Sequence, residues 1–216
     1  MAGYTVAQLD QIGEIDDGGR TFRSVRLHFG ITTFGVNAMT ARAEGDTLIN
    51  EHDESEPNSS EELYVVTSGH ATFELDGATH DAPAGTFVHV RPGVKRSAVA
   101  LEAGTMVLAI GAGPEGKPYE AGGWELFAPL FALFQSGEYR EGADRAAALL
   151  AEHPTLSPAA YYNTACFESR AGRIDAAIDH LRTAVERSPA LIELAREDED
   201  FEALHDNPAF REMVGG

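Results

Sequence analysis

Imidazole and carboxylate side chains are concentrated in one short segment, NEHDESE, at residues 50–56. Alternate residues of a β-strand share a face, so His52 could converge with Glu54, or Glu51 with Asp53, but all four cannot meet. One imidazole with two carboxylates would suit Fe, Mn, Ni or Zn in a site that keeps coordination positions open. The alternative is that the segment is an acidic surface loop.

Two glycine-bounded segments surround this chemistry. The first runs from Gly45 to Gly69 and contains Glu62, seven residues before its last glycine; the second runs from Gly85 to Arg96 and contains a Pro-Gly turn. This pair of segments resembles the two motifs of the cupin family. At strict family spacing from Gly45, the first two metal-ligand positions fall on Glu51 and Asp53; one residue later they fall on His52 and Glu54. With the second register, the resemblance implies a metal site at His52, Glu54 and Glu62.

The cupin resemblance covers roughly residues 25–112 and implies an antiparallel double-stranded β-helix, which is a small jelly-roll barrel with its site among inward-facing side chains. In that family a metal-binding histidine stands where this chain has Arg96. A guanidinium has no lone pair to donate. A divalent ion about 4 Å from Arg96 would meet a repulsion of roughly 8 kcal/mol at an effective dielectric constant of about 20. We therefore expect a Glu62–Arg96 ion pair and no cofactor, with a divalent metal ion as the alternative.

We assign Arg96, Glu62, His89 and Tyr64 to a ligand pocket in the barrel. His89 alternates with Val88 and Val90, so it enters the pocket only if its face of the strand is internal. If the guanidinium of Arg96 were not paired with Glu62, its planar fork would suit a carboxylate or a phosphate ligand.

Short runs of β-branched and aromatic residues, separated by Gly, Pro and Asp, predict the strands that hold these side chains. The runs are RSVRLHFGITTFGV, ELYVVTSG, ATFELDG, GTFVHV and TMVLAIGAG. Asp-Gly at the end of LDG, residues 75–77, predicts a tight hairpin turn. The segment GAGPEGKPYEAGG then ends the strand pattern and is typical of a linker.

Helical periodicity follows the linker, so the sequence predicts an α+β protein with a β-barrel domain over 1–122 and a helical domain over 123–216. The stretch GEYREGADRAAALLAEHP, residues 137–154, aligns without a gap with GRIDAAIDHLRTAVERSP, residues 172–189. This spacing and the small residues within it resemble the tetratricopeptide repeat. We expect two repeats, followed by a tail that caps the open end of the stack.

The tetratricopeptide resemblance implies a groove for a protein partner, lined here by Tyr161, Tyr162 and Asn163. The alternative is a docking or dimerisation appendage in which the tyrosines pack between helices. Cys166 follows on the same helix, and we predict that it is a small core residue.

Composition excludes several classes of partner. The 216 residues carry a formal charge of −19, which would repel nucleic acid and anionic membranes. The sequence has no apolar run long enough to span a membrane and no recognisable signal peptide. With one cysteine no intrachain disulfide can form, which fits a cytoplasmic protein.

Two hypotheses about function follow. In the first, the barrel is non-catalytic and binds a small molecule beside a degenerate metal site, while the helical domain mediates protein interaction or homodimerisation. In the second, the barrel is a metal-dependent enzyme, of dioxygenase or isomerase type, that uses His52, Glu54 and Glu62. No nucleophile elbow, P-loop or dinucleotide fingerprint is present to suggest a different chemistry.

Overall fold

The computed structural model of the chain describes residues 3–17, 19–55, 60–113, 119 and 123–215. Its contacts divide the chain into two compact units, residues 1–121 and 122–216. Most of the predicted linker GAGPEGKPYEAGG lies outside the described residues. The protein is an α+β protein, with its sheets in the first unit and most of its helices in the second.

Ten strands and one short helix make up the described part of the first unit, after a 3-10 turn at Leu9–Gln11. The strands are β1 (Ile15–Asp17), β2 (Arg20–Arg23), β3 (Gly35–Ala41), β4 (Thr47–His52), β5 (Glu61–Ser68), β6 (His70–Leu75), β7 (Ala78–Pro83), β8 (Phe87–Val90), β9 (Arg96–Ala100) and β10 (Met106–Ala112). They form two sheets, in the orders β1-β2-β3-β10-β5-β8 and β4-β9-β6-β7.

The strand order is that of a jelly roll. Strand β3 pairs with β10, β4 with β9, β5 with β8 and β6 with β7, each pair antiparallel. Eight strands nested in this way form one long hairpin that folds over into two facing sheets. The rings of Tyr64 on β5 and Phe73 on β6 lie 5.6 Å apart across the interior and identify the inner face of each sheet.

Turn chemistry fixes the hairpin between β6 and β7 as predicted. Asp76 and Gly77 have φ angles of 49° and 80°. Both values are positive, as a tight primed turn requires, and Asp-Gly adopts them more readily than most residue pairs.

The prediction of a strand across RSVRLHFGITTFGV is wrong for its first half, because Val25–Phe29 form helix α1. The Ser24 hydroxyl accepts a hydrogen bond from the Leu27 N–H at 3.3 Å and caps the helix at its start. Gly30, with φ of 66°, ends it. These local caps outweigh the strand preference of the β-branched residues.

The second unit is helical throughout its described part. Its helices are α2 (Gly123–Ser136), α3 (Tyr139–Glu152), α4 (Pro158–Arg170), α5 (Ile174–Arg187), α6 (Leu191–Glu197) and α7 (Pro208–Val214), with a 3-10 helix at Glu199–Leu204 before α7. Phe201, Leu204 and Phe210, which we expected to cap the stack, are buried in the core. No helix in the described residues is long and apolar enough to cross a membrane.

Candidate functional site

Three strands bring the charged side chains of the barrel together. His52 at the end of β4 pairs directly with Arg96 at the start of β9. Glu62 and Tyr64 lie two residues apart on β5 of the facing sheet, so both point inward. The site therefore forms between the two sheets, at the edge where β4 ends and β9 begins.

Arg96 and Glu62 form the centre of this site. The Arg96 side chain has no exposed surface. Its Nε and Nη2 donate to the same carboxylate oxygen, Oε2 of Glu62, at 3.0 and 2.7 Å, and its Nη1 donates to the Val94 carbonyl at 2.9 Å. The Tyr64 hydroxyl donates to that same Oε2. The ion pair that the sequence suggested is present, and three donors converge on one oxygen.

His52 and Glu54 lie on the solvent side of this pair and are half-buried. His52 Nε2 is 3.4 Å from Glu62 Oε2 and 3.7 Å from Glu54 Oε1. Its Nδ1 lies 2.7 Å from the Asn50 carbonyl and donates to it. The ring is therefore held with Nε2 toward the carboxylates.

The protonation of the site follows from these contacts. The hydrogen bond to Glu62 raises the pKa of His52 despite its partial burial. Burial acts to raise the pKa of Glu62, but hydrogen bonds from His52, Tyr64 and Arg96 outweigh it and the net shift is downward. Burial, together with the charge of Glu62, raises the pKa of Glu54. Glu62 is thus the fixed anion, while His52 and Glu54 hold protons more readily than usual.

His52, Glu54 and Glu62 suit a metal ion by type and spacing, because one donor atom from each lies within 4.8 Å of the others. Donors about 2.1 Å from a common ion would lie roughly 3.4 Å apart, close to the His52–Glu62 distance. The charge environment does not suit one. Glu62 Oε2 already accepts from Arg96 and Tyr64, and the buried guanidinium would stand beside any cation. The arrangement does not fit a divalent ion while the Arg96–Glu62 pair is intact.

Glu51 and Asp53, the other described acidic residues of this segment, point away from the site. Glu51 pairs with Lys95 at 2.7 Å, and the Asp53 carboxylate accepts from the Ser55 N–H at 3.0 Å. Both are exposed. Of the two sets that strand parity allowed, the structure therefore brings together His52 and Glu54.

The assignment of His89 to the pocket is wrong. In the β5–β8 register Glu62 is opposite Val90, so Val90 shares the inner face and His89 lies on the outer one. The His89 side chain is 48% exposed, and its Nε2 lies 2.5 Å from Glu61 Oε1. It is an outer-surface histidine with an acidic neighbour.

The assignment of the two tyrosines to a protein-binding groove is also corrected. Tyr161 and Tyr162 are buried in the helical core. Their hydroxyls donate to the Pro154 carbonyl at 2.9 Å and to Asp198 Oδ2 at 2.7 Å. They pack between helices, as the alternative held, while Asn163 on the same helix is half-buried.

Sequence reasoning missed Asn37 on β3. This residue is 5% exposed, and among the described residues its Oδ1 has no hydrogen-bond partner. Ala109 on β10 is opposite both Asn37 and Tyr64, so the amide lies on the inner face, two strands from the tyrosine. The available signal was a polar residue at an inward position of GVNAMTA.

Tyr119 is not among the predicted site residues, because it stands in the segment GAGPEGKPYEAGG, whose composition predicts a linker. Its ring packs against Gly35 and Gly111, where a side chain larger than glycine would collide with it or touch it. Gly111 is opposite Glu62 in the β5–β10 register. The tyrosine therefore covers the inner face next to the charged site, with the Arg26 guanidinium 5.6 Å from its ring centre.

Comparison with known proteins finds similar chains among solved structures. No protein-family model matches the chain, and no curated protein sequence matches it. The solved structures include KdgF from Halomonas sp., at 16% identity over 52% of this chain and 96% of that one, with a TM-score of 0.44. A cupin protein from Bacteroides fragilis matches at 18% identity over 56% of this chain and 93% of that one, with a TM-score of 0.43.

A third structure, a sugar phosphate isomerase from a cupin superfamily from Silicibacter pomeroyi, matches at 19% identity over 51% of this chain and 76% of that one, with a TM-score of 0.44. All three TM-scores are below 0.5. The assignment of the jelly-roll fold therefore rests on the strand order and register of this chain, and the assignment of the site rests on its own side chains.

Proposed function

We propose that the jelly-roll unit is a non-catalytic, metal-free module that binds a small polar molecule at the open edge of the barrel. One observation carries the proposal: the buried Arg96 guanidinium donates twice to Glu62 Oε2. This pairing satisfies both charges within the protein. The side chains that remain accessible to a ligand are His52 and Glu54, together with the outer edge of Glu62.

Electrostatics favour a ligand without a strong negative charge. The Arg96 guanidinium donates hydrogen bonds to Glu62 and to the Val94 carbonyl. It is therefore not available to the carboxylate or phosphate ligand that was one alternative from the sequence. Two carboxylates flank the one imidazole at the accessible edge. A neutral ligand that offers hydroxyl or N–H donors would suit these acceptors.

Ala109, a small half-buried residue, lies between Asn37 and Tyr64 on the inner face of the six-stranded sheet. The Oδ1 of Asn37, which has no hydrogen-bond partner among the described residues, would accept a hydrogen bond from a molecule placed beside Ala109. A ligand with two or more donors would thereby link Asn37 to the Glu54–Glu62 edge.

For the helical unit we propose tetratricopeptide-like packing that serves protein interaction or homodimerisation. The support is the gap-free repeat of residues 137–154 at 172–189 and the packing of α4 against both α3 and α5. The buried Tyr161 and Tyr162 contribute to the core of this unit, and a partner would meet other residues.

Elemental analysis of protein purified without chelator tests the metal-free site. We expect His52→Ala to leave the content of Fe, Mn, Ni and Zn unchanged. We expect Arg96→His to increase metal uptake, because it replaces the guanidinium by an imidazole that can donate a lone pair. Lys95→His is the matched control, since it places a histidine one residue away on an exposed side chain.

The second hypothesis, a metal-dependent enzyme of dioxygenase or isomerase type, is favoured by the spacing of His52, Glu54 and Glu62. It predicts near-stoichiometric metal that is lost in His52→Ala. That outcome would replace the binding-module proposal. Unchanged uptake in Arg96→His would show instead that the guanidinium is not what keeps metal out.

A further inference from the structure

We propose that Cys166, Asp198 and Asp200 in the helical unit form a binding site for a zinc-like divalent metal ion. This site is independent of the barrel and goes beyond the function proposed for it. One donor atom from each of the three residues, the thiol sulfur and two carboxylate oxygens, lies within 4.8 Å of the other two.

Local structure brings the donors together. Cys166 lies one helical turn after Tyr162 on α4, so both side chains face the same way. The Tyr162 ring packs edge-on against Phe201 at 5.2 Å, which fixes the 3-10 helix against α4. Asp198 caps that 3-10 helix by accepting the Asp200 N–H at 3.0 Å. Both carboxylates are thereby held over the cysteine.

The position of the thiol points to a ligand. Cys166 is 6% exposed, and its sulfur lies within 4.8 Å of a carboxylate oxygen of Asp198 and of Asp200. A structural cysteine in a core ordinarily packs as a small apolar group. Here the sulfur lies beside two carboxylates that are themselves half-buried. A cation could enter past the carboxylates and reach the sulfur.

The local charge is consistent with this occupant. Asp198 and Asp200 place two carboxylates beside each other next to the Cys166 sulfur. Arg170 is the basic side chain near the pair, with Nη1 3.7 Å from Asp200 Oδ1, and it also stacks on Tyr139. A divalent ion would compensate the two carboxylates and displace the thiol proton to solvent, leaving thiolate as the third donor.

The donor set indicates the class of metal. A thiolate favours Zn²⁺ and Co²⁺ over Mg²⁺ and Ca²⁺, and the carboxylates complete three positions of a tetrahedron with water in the fourth. Bond lengths of about 2.3 Å to sulfur and 2.1 Å to oxygen would place the donors roughly 3.5 Å apart, within reach of small side-chain rotations. The Tyr162 hydroxyl, 2.7 Å from Asp198 Oδ2, would orient that ligand from outside.

Cobalt titration of the full chain tests the site, with a phosphine as the only reductant. Because Cys166 is the only cysteine, a thiolate-to-cobalt charge-transfer band in the near ultraviolet reports on this residue alone. We expect such a band, saturating at one equivalent and displaced by Zn²⁺. Asp198→Asn and Asp200→Asn should weaken Co²⁺ binding, and Tyr162→Phe should weaken it about tenfold.

His52→Ala is the matched control, and it should keep the charge-transfer band. Cys166→Ala should lose the band while its circular dichroism stays that of the parent. The proposal is overturned if excess Co²⁺ gives no charge-transfer band, or if bound cobalt is lost in His52→Ala and kept in Cys166→Ala. The second outcome would place the ion in the barrel and count against the metal-free function as well, whereas the first leaves that function untouched.

Discussion

Arg96 and Glu62 join the two sheets of the jelly roll through one carboxylate oxygen. Arg96 starts β9 in the four-stranded sheet and Glu62 belongs to β5 in the six-stranded sheet, so their ion pair spans the interior. A buried charge is tolerated because its partner is within hydrogen-bonding distance. Loss of either partner would leave the other charged and poorly solvated.

Glu62→Gln should therefore destabilise the protein by about 3 kcal/mol, the lower end of the range for breaking a buried ion pair, because Glu62 is not fully buried. Urea unfolding at neutral pH measures the change. Glu61→Gln is the control, since the neighbouring carboxylate is exposed and contacts the exposed His89. Its effect should stay within about 0.5 kcal/mol. Equal losses of stability in the two variants would show that the ion pair stabilises the protein no more than an exposed carboxylate does.

The pair could be predicted from sequence because the resemblance to the two cupin motifs puts Glu62 and Arg96 at one site, with Arg96 at the start of the strand after the Pro-Gly turn. The orientation of the His89 side chain could not be predicted from sequence. Which face of β8 points inward depends on its register with β5, a contact between residues 28 positions apart. Alternation shows which residues share a face and not which face is buried. The same nonlocal information was needed for Asn37 and Tyr119.

Asn37→Leu should raise the free energy of unfolding by about 1 kcal/mol, because it removes a buried oxygen that has no partner in the described part of the chain. Thermal or urea unfolding in the absence of added ligand measures the change. Thr40→Val is the matched control: its Oγ1 is the other strand-β3 oxygen without a partner among the described residues, and register places it on the outer face. A loss of stability in Asn37→Leu alone would mean that the amide is already satisfied, which would contradict its role in the ligand site.

Stability should also depend on pH through His180 and Glu168, whose Nδ1 and Oε2 lie 2.7 Å apart between α5 and α4. The hydrogen bond to Glu168 raises the pKa of His180 above its ordinary value of 6.5. The stabilisation is thus complete below the unfolded-state pKa and is lost as the pH rises through the higher folded-state pKa. His180→Gln should be more destabilising near about pH 6 than near about pH 9.

Urea unfolding of both proteins across this pH range measures that difference. His153→Gln, which changes an exposed histidine of the same unit, serves as the control. A gap between His180→Gln and the parent that is constant with pH would show that His180 stabilises the unit by packing alone.

The repeat in the helical half can be recognised from its spacing of 35 residues. One position where the two repeats differ can be explained only from the structure. Gly142 in the first repeat stands where the second repeat has Ala177, and both residues are buried. A Cβ on Gly142 would overlap the ring of Phe167 on α4. Phe167 is held in turn by the edge of Phe134 at 5.0 Å. The glycine therefore accommodates a large ring that sequence periodicity does not associate with it.

Gly142→Ala should accordingly destabilise the protein although alanine favours helix by about 1 kcal/mol. The overlap with a fixed, buried ring should cost about 1–3 kcal/mol beyond that gain, the usual range for overpacking a core. Urea unfolding measures the net change in the free energy of unfolding. Shortening the ring in Phe167→Leu removes the obstacle, so adding Gly142→Ala to that background should increase stability. If Gly142→Ala stabilised the parent as well, α3 and α4 would have to lie further apart than the structure places them.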